Sequence, residues 1–597
     1  MTLHSVDWAF VIGFFILSLA VGVAVTKRAG RSSSEFFLSG RNMPWWLLGV
    51  SMVATTFSSD TPNLVTDIVR QNGVAGNWVW WAFLLTGMLT VFVYAKLWRR
   101  SGVLTDLEFY EMRYSGKAAA FLRGFRAVYL GVFFNILIMA SVSLAAIKIG
   151  EVMLNLKPVQ TLLIASLVTV IYSMLGGLRG ILITDFFQFI IAMIGSVIAA
   201  VVVLGLPEVG GMNGILTSEA IGSKINLLPD FSNTEMVISL LILPLAVQWW
   251  SVWYPGAEPG GGGYISQRML SAKNEKHAIG ATFLFNTAFY ALRPWPWIIV
   301  ALGSLLVFPS LESLQIAFPH IDPSAIRHDH AYAAMLTFLP RGLLGLVVAS
   351  LIAAYMSTIS THLNWGSSYV VNDIFKRFVR QDASERQQVL VGRISTVLLM
   401  ILACFIALLL SNALQAFRIL LQIGAGTGLL FILRWFWWRI NPFSEITAMV
   451  VSFIVAIYFQ FVHPALGFEE ISSHFQLLAG VGITTFAWIG VTLITVPSDA
   501  QTLRAFYRKV GPGGPGWKRV IEQAKRDNDP IDEAARKWDV PLGILCMVFG
   551  CLAVYGTLFA TGYWIYGNYF PAIALTAIAV IASALLVKSW GKLRVGS

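Results

Sequence analysis

The stretch ATTFSSDTPN, residues 54–63, interrupts an apolar run that otherwise reads as one helix over 44–70. Thr55, Thr56, Ser58, Ser59, Asp60 and Pro62 fall midway along it, where a helix in lipid can least spare its backbone hydrogen bonds. A second run, over 235–258, ends in QWWSVWYPGAEPGGGGY (248–264), with two prolines and four consecutive glycines. Either break alone reads as a kink or a helix end. Together they free backbone carbonyls at membrane depth, which is tolerated only where the backbone is buried in protein or lines a cavity.

Composition makes the setting a membrane. Of 597 residues, 57% are hydrophobic and 12% charged, and the mean hydropathy is +0.71; about 20 apolar residues suffice for one span. Apolar runs punctuated by Gly, Pro and charge give about fifteen helices, over 7–26, 44–70, 76–98, 121–150, 157–176, 180–206, 235–258, 277–308, 331–375, 388–411, 412–437, 441–462, 473–496, 541–561 and 567–588. The first lacks a basic leader and a small-residue exit, and Lys27 and Arg28 follow it, so it reads as a retained helix rather than a signal peptide. The broken runs are five spans apart. Five-helix units beginning at each then have opposite orientations, the pattern of an inverted-repeat transporter with its site at the midplane. The expected fold is an all-α polytopic membrane protein with a five-plus-five inverted repeat and extra helices at both ends, although no residue-level repeat is visible.

A net charge of +11 raises the question of nucleic acid, and its distribution answers it. With the N-terminus outside, KRAGR (27–31), KLWRR (96–100), QRMLSAKNEK (267–276), DIFKRFVR (373–380) and KSWGKLR (588–594) share one side, while loops 207–234 and 309–330 are nearly free of Lys and Arg. This positive-inside pattern needs no nucleic acid. It implies a multi-pass protein of the cell (inner or plasma) membrane, N-terminus outside and C-terminus cytoplasmic. Cys404, Cys546 and Cys551 fall inside spans and read as packing residues. PGGGGY lacks the lysine and preceding strand of a phosphate-binding loop, and HDH (328–330) reads as a solvated loop with no third metal ligand in view.

The segment VASLIAAYMSTISTHLNW (348–365) begins as an apolar span, then gathers Ser357, Thr358, Ser360 and Thr361 within five residues. At about 100° per residue, Ala354, Ser357, Thr358 and Thr361 share one stripe with Ser360 at its edge. A lone hydroxyl in a span back-bonds to its own helix or joins two helices. Four that face the freed carbonyls of a broken helix suit a hard monovalent cation, which wants oxygen ligands. Asp185, an acid in or at the edge of a span, demands a function or a partner, and Arg179 is the rival partner. A solute pocket would draw on Thr56, Asp60 and Thr61, then Trp80 and Trp81, then Gln248, Trp249, Trp253 and Tyr254. Aromatic faces take a C–H face, and Gln and Thr orient polar groups. Arg293, ahead of PWPW, is a further candidate ligand that could equally snorkel.

Five motifs, FFLSGRNMPWWLLGVSMVATTFSS (36–59), VLTDLEFYEMRY (103–114), GGLRGILITDFFQ (176–188), QRMLSAKN (267–274) and AAYMSTISTHLNWGSSYVVNDIFK (353–376), occur in an order that resembles the sodium:solute symporters. That family includes sodium/glucose, proline, pantothenate and sialic-acid carriers. The resemblance runs over residues 35–437 and implies a leucine-transporter-like fold with sodium as the coupling ion. It implies a main sodium site on the carbonyls of Ala54, Phe57 and Ala354 and the hydroxyls of Ser357 and Thr358. Some members hold a second sodium, whose positions here are Asp185, Ser357, Ser360 and Thr361. The family's sugar contacts fall on Thr61, Trp80, Phe289 and Leu421, with Gln422 adjacent, so the sugar-binding side chains are largely replaced. A gating tyrosine matches Tyr264.

Five regions follow: an extra N-terminal helix and loop (1–34), a ten-helix transport core (35–437), two further helices (438–496), a cytoplasmic polar loop (497–540), and two C-terminal helices with a short tail (541–597). The loop, at about forty residues, is too short for a catalytic domain, and no nucleophile–base or metal constellation suggests an enzyme. The expected function is sodium-coupled symport of a small polar organic solute by alternating access, with two sodium ions. The alternative is a sodium-dependent membrane sensor or partner-binding protein on the same fold.

Overall fold

A backbone in lipid must satisfy its N–H and C=O groups within its own segment, so apolar runs of this length become helices. The computed structural model describes residues 4–154, 156–251, 258–324, 326–410, 424–469, 471–532 and 538–593. Among these the only strand-like pairing is an isolated bridge between Met43 and Ala272. The principal helices are α1 (Ser5–Ala29), α2 (Trp45–Thr56), α3 (Asp60–Asn72), α4 (Val74–Ser101), α5 (Gly116–Leu154), α6 (Pro158–Leu204), α7 (Thr234–Trp250), α8 (Gly263–Ser271) and α9 (Glu275–Val307). They continue as α10 (Leu343–Val379), α11 (Glu385–Ala407), α12 (Gly428–Leu433), α13 (Pro442–Ala465), α14 (Ser473–Ile494), α15 (Ala500–Val510), α16 (Lys518–Arg526), α17 (Val540–Ile565) and α18 (Tyr569–Trp590). Among the described residues, 11 helices are long and apolar enough to cross a membrane.

Both expected breaks are present. α2 ends at Thr56, Phe57 leaves helical angles at φ −92° and ψ 74°, and α3 restarts at Asp60. Asp60 lies in the first turn of α3, where the helix dipole favours a carboxylate, and Pro62 occupies a position whose N–H would have had no intrahelical partner. The glycine run that leads into α8 takes positive φ at Gly260 (85°), Gly261 (92°) and the helix's first residue, Gly263 (54°), which side-chain-bearing residues rarely adopt. The Gly260 carbonyl thereby accepts from Trp98 Nε1 at 2.8 Å, and the Gly263 N–H donates to Asp106 at 2.8 Å. Met43 pairs through its backbone with Ser271 and Lys273, at 3.1 Å each, fastening the end of α8 to the start of α2.

At 47 residues α6 exceeds any single crossing, and Gly177, at φ 53° and ψ −162°, divides it. α10 lies along α6 and is buried almost throughout. Large apolar side chains of α1, α14 and α18, among them Ile16, Phe486 and Val587, face outward, as a lipid-facing surface requires.

The 497–540 region departs from the expected polar loop. α15, α16 and the turn between them bury Leu503, Phe506, Trp517, Val520 and Ile521. Trp517 Nε1 donates to the Trp435 carbonyl at 2.9 Å, its ring stacks on Phe506 with centroids 5.6 Å apart, and the Arg113 guanidinium lies 4.9 Å from its centre. Leu503, Phe506, Tyr507 and Val510, spaced three and four apart, form one apolar face that holds α15 against the membrane core. Trp517→Ala should therefore cost about 3–5 kcal/mol, seen as a lowered melting temperature of the purified protein. An unchanged melting temperature would mean that the segment is only loosely attached.

Candidate ion and solute site

The hydroxyl stripe of α10 meets the α2 break. Thr358 Oγ1 donates to the Thr55 carbonyl at 2.7 Å and contacts the Ala354 carbonyl, one turn back, at 3.2 Å. The Ala54 carbonyl accepts from the Phe57 N–H at 3.1 Å where α2 unwinds. Ala54, Phe57, Ala354, Ser357 and Thr358 are all buried around this junction. Thr361 Oγ1 lies 2.9 Å from Thr55 Oγ1, and Ser360 Oγ bonds to the Ser357 carbonyl at 3.1 Å.

Asp185 joins the same cluster from α6. Its Oδ1 accepts from Ser357 Oγ at 2.7 Å and its Oδ2 from Ser51 Oγ at 2.5 Å. The guanidinium that reaches it belongs to Arg268 of α8, with Nη2 at 3.9 Å, rather than to Arg179. Arg268 also donates from Nη2 to Thr361 Oγ1 at 2.7 Å and from Nη1 to Gln267 Oε1 at 2.9 Å. A buried arginine inside the hydroxyl cluster is not foreseen from sequence. QRMLSAKN contains it, but only the fold turns it toward α10.

A cavity of about 510 Å³ begins at this junction, lined at its inner end by Thr55, Thr56, Ser58, Asp60, Thr61, Asn63, Trp80, Tyr264, Phe289, Arg293, Thr358 and His362. Thr56, Asp60, Thr61, Trp80 and Tyr264 were expected there. Trp81 and Gln248 sit behind the wall instead. Trp81 packs on Trp78 and Phe559, and Gln248 Nε2 donates to the Val79 carbonyl at 2.6 Å. Trp80 and Trp81 point about 100° apart on one helix, so only one can face the cavity. Trp253, Tyr254, Leu421 and Gln422 lie outside the described residues. His362 extends the stripe by one residue. Its Nδ1 pairs with Asn135 Oδ1 at 2.7 Å, and its ring stands edge-on to Tyr264 with centroids 5.5 Å apart.

At the other end of the cavity, Lys148 Nζ and Asp329 Oδ2 pair at 2.7 Å. HDH is thus built into the protein rather than solvated. Arg70 Nε donates to His328 Nδ1 at 3.3 Å, and His330 Nδ1 lies 3.1 Å from Asp329 Oδ1. Buried cations on α3 and α5 need such acceptors. Burial opposes the Asp329 charge, but the His330 hydrogen bond and the Lys148 ammonium outweigh it and hold this carboxyl well below the usual range. Beyond Tyr264, at the inner end, Arg123 bonds to Asp373 at 2.7 Å and Glu111 at 2.8 Å, Arg434 faces Glu445 at 3.5 Å, and Arg126 pairs with Glu258.

A family model described as "Sodium:solute symporter family" matches residues 36–452. The chain is 26% identical over 500 residues to the sodium/glucose cotransporter of Vibrio parahaemolyticus, covering 78% of this chain and 88% of that one. It is 26% identical over 543 residues to sodium/myo-inositol cotransporter 2 of Sus scrofa, covering 83% and 76%. Among solved structures, a Na+-coupled sialic acid symporter in a substrate-bound outward-open state superposes with a TM-score of 0.66 at 21% identity, over 83% of this chain and 99% of that one. At that identity the likeness concerns the fold.

Proposed function

The chain belongs to the sodium:solute symporter family, and on that premise we propose that it imports a small polar organic solute with two sodium ions by alternating access. One observation carries the reading: Thr358 Oγ1 lies on the Thr55 carbonyl and Thr361 Oγ1 on the Thr55 hydroxyl at the α2 break, beside a cavity within the size range of small-molecule sites. The main sodium binds Ala54, Phe57 and Ala354 through carbonyls and Ser357 and Thr358 through hydroxyls. The second binds Asp185, Ser357, Ser360 and Thr361. Thr56, Asp60, Thr61, Trp80 and Tyr264 contact the solute.

The chain crosses the membrane fifteen times in this reading, counting the two halves of α6 separately, each broken pair once, and one crossing that includes α12. The units beginning at α2/α3 and α7/α8 are inverted repeats. The N-terminus is outside, the cavity opens outward past Lys148 and Asp329, and the ion pairs beyond Tyr264 seal the cytoplasmic end. Sodium at the α2–α10 junction completes the solute pocket, and rocking of one helix group against the other exposes both to the cytoplasm. Each sodium crossing about 100 mV supplies about 2.3 kcal/mol, and a tenfold concentration ratio adds about 1.4 kcal/mol.

Uptake into proteoliposomes should follow an inward sodium gradient and vanish when potassium replaces sodium. Gradient-independent uptake would favour a passive channel. Orientation has its own test. The Lys518 side chain is 78% exposed, so Lys518→Cys should react with a membrane-impermeant maleimide only after the membrane is opened, with the unmodified chain as control. Labelling in intact cells would overturn the fifteen-crossing arrangement.

A further inference from the structure

We propose that the solute is a small organic carboxylate whose anionic group is held by Arg293, an inference that rests on the symporter reading above. Arg293 is buried at the inner end of the cavity. Its Nε donates to the Phe289 carbonyl at 3.1 Å, its Nη1 donates to the Thr56 carbonyl at the α2 break, and its guanidinium lies 3.4 Å over the Phe289 ring. Both acceptors are neutral. Among the described residues no carboxylate oxygen comes within 4.0 Å of it, and Nη2 has no protein acceptor. The group that would complete this site is therefore an anion that enters through the cavity.

The other charges of the cavity do not serve it. Asp60 is the carboxylate whose field reaches Arg293, yet none of its oxygens lies within 4.0 Å of the guanidinium, and it sits at the positive end of α3. Lys148 and Asp329 neutralise one another at the mouth. Asp67 accepts from Gln71 Nε2 at 2.6 Å. What remains open at the inner end is the Arg293 Nη2 donor. A neutral polyol would give Arg293 ordinary hydrogen bonds and leave the guanidinium with no ion-pair partner in direct contact. A carboxylate would form the stronger charge-assisted pair. Trp80, Tyr264 and Phe289 leave an aromatic wall for the C–H face of the rest of the molecule.

The test uses purified full-length protein and probes in acid–neutral pairs: glucuronate against glucose, galacturonate against galactose, lactate against propylene glycol, and benzoate against benzyl alcohol. Melting temperature is followed over probe concentration, in sodium and in potassium. In sodium, at least one acid should bind with an apparent Kd about tenfold or more below that of its neutral twin. Arg293→Gln should erase that ratio, and Arg293→Lys should keep part of it. The wild-type comparison stands even if Arg293→Gln fails to fold. A neutral twin that binds as tightly as its acid, or the failure of every acid to stabilise the protein, overturns the carboxylate assignment. The symporter reading fails separately, if sodium neither stabilises the protein alone nor changes the binding of any probe.

Discussion

Removing the hydroxyls of Ser357 and Thr358 together should raise the sodium concentration for half-maximal uptake about 100-fold. The proposed main site loses two of its oxygens, at about 1–1.5 kcal/mol each. Their positions explain why neither loss is repaired. Thr358 Oγ1 bonds to the Thr55 carbonyl at the unwinding end of α2, and Ser357 Oγ bridges to Asp185. Water cannot easily substitute, because both residues are buried. The same substitution also frees the Thr55 carbonyl and one Asp185 oxygen, so a modest loss of stability without sodium is expected. Thr358→Ser, which keeps an oxygen in place, should stay near wild type in sodium affinity. If the folded double variant keeps its sodium dependence, the main site lies elsewhere.

Asp185→Asn should lower the Hill coefficient for sodium toward one and reduce the charge moved per solute by one, while leaving some sodium-driven uptake. The carboxylate sits among Ser51, Ser357 and Arg268, and Arg268 also holds Thr361. A second sodium between Asp185, Ser360 and Thr361 must take over from that guanidinium, and an amide cannot supply the charge that makes the exchange favourable. A second ion deepens the accumulation limit by roughly 500-fold for a neutral solute. For a carboxylate the gain matters more. The solute's own negative charge cancels the first ion's electrical contribution, so only the second ion draws on the membrane potential. If wild type moves one sodium per solute, Ser360 and Thr361 are packing groups and Asp185 is the partner of Arg268.

Much of the fold was legible because lipid punishes irregular backbone. Pro62 with the hydroxyls around it, and the glycine run before Tyr264, have no inexpensive place in an ordinary span, so they announced both breaks. Periodicity then set Ala354, Ser357, Thr358 and Thr361 on one face, and that face is the one that meets α2. What stayed hidden depends on contacts between distant segments. Arg179 is near Asp185 in sequence, but Arg268, more than eighty positions away, is the arginine that reaches it. Trp80 and Trp81 could not be told apart, because α4 contains a 3₁₀ turn at Val74–Asn77 and a π turn at Thr90–Tyr94 that shift its phase. HDH reads as solvated until Arg70 and Lys148 are brought to it. The apolar face of α15 was readable, but the basic residues around it concealed it.

Whether sodium binds where the α10 hydroxyls meet the α2 break can be read from equilibrium binding of radioactive sodium to the purified protein, which needs no knowledge of the solute. Saturable binding of two ions per chain is expected in wild type, one in Asp185→Asn, and a large loss of affinity in the Ser357→Ala, Thr358→Ala double variant. Absence of saturable sodium binding, or binding that the double variant leaves unchanged, would contradict a sodium site at this junction.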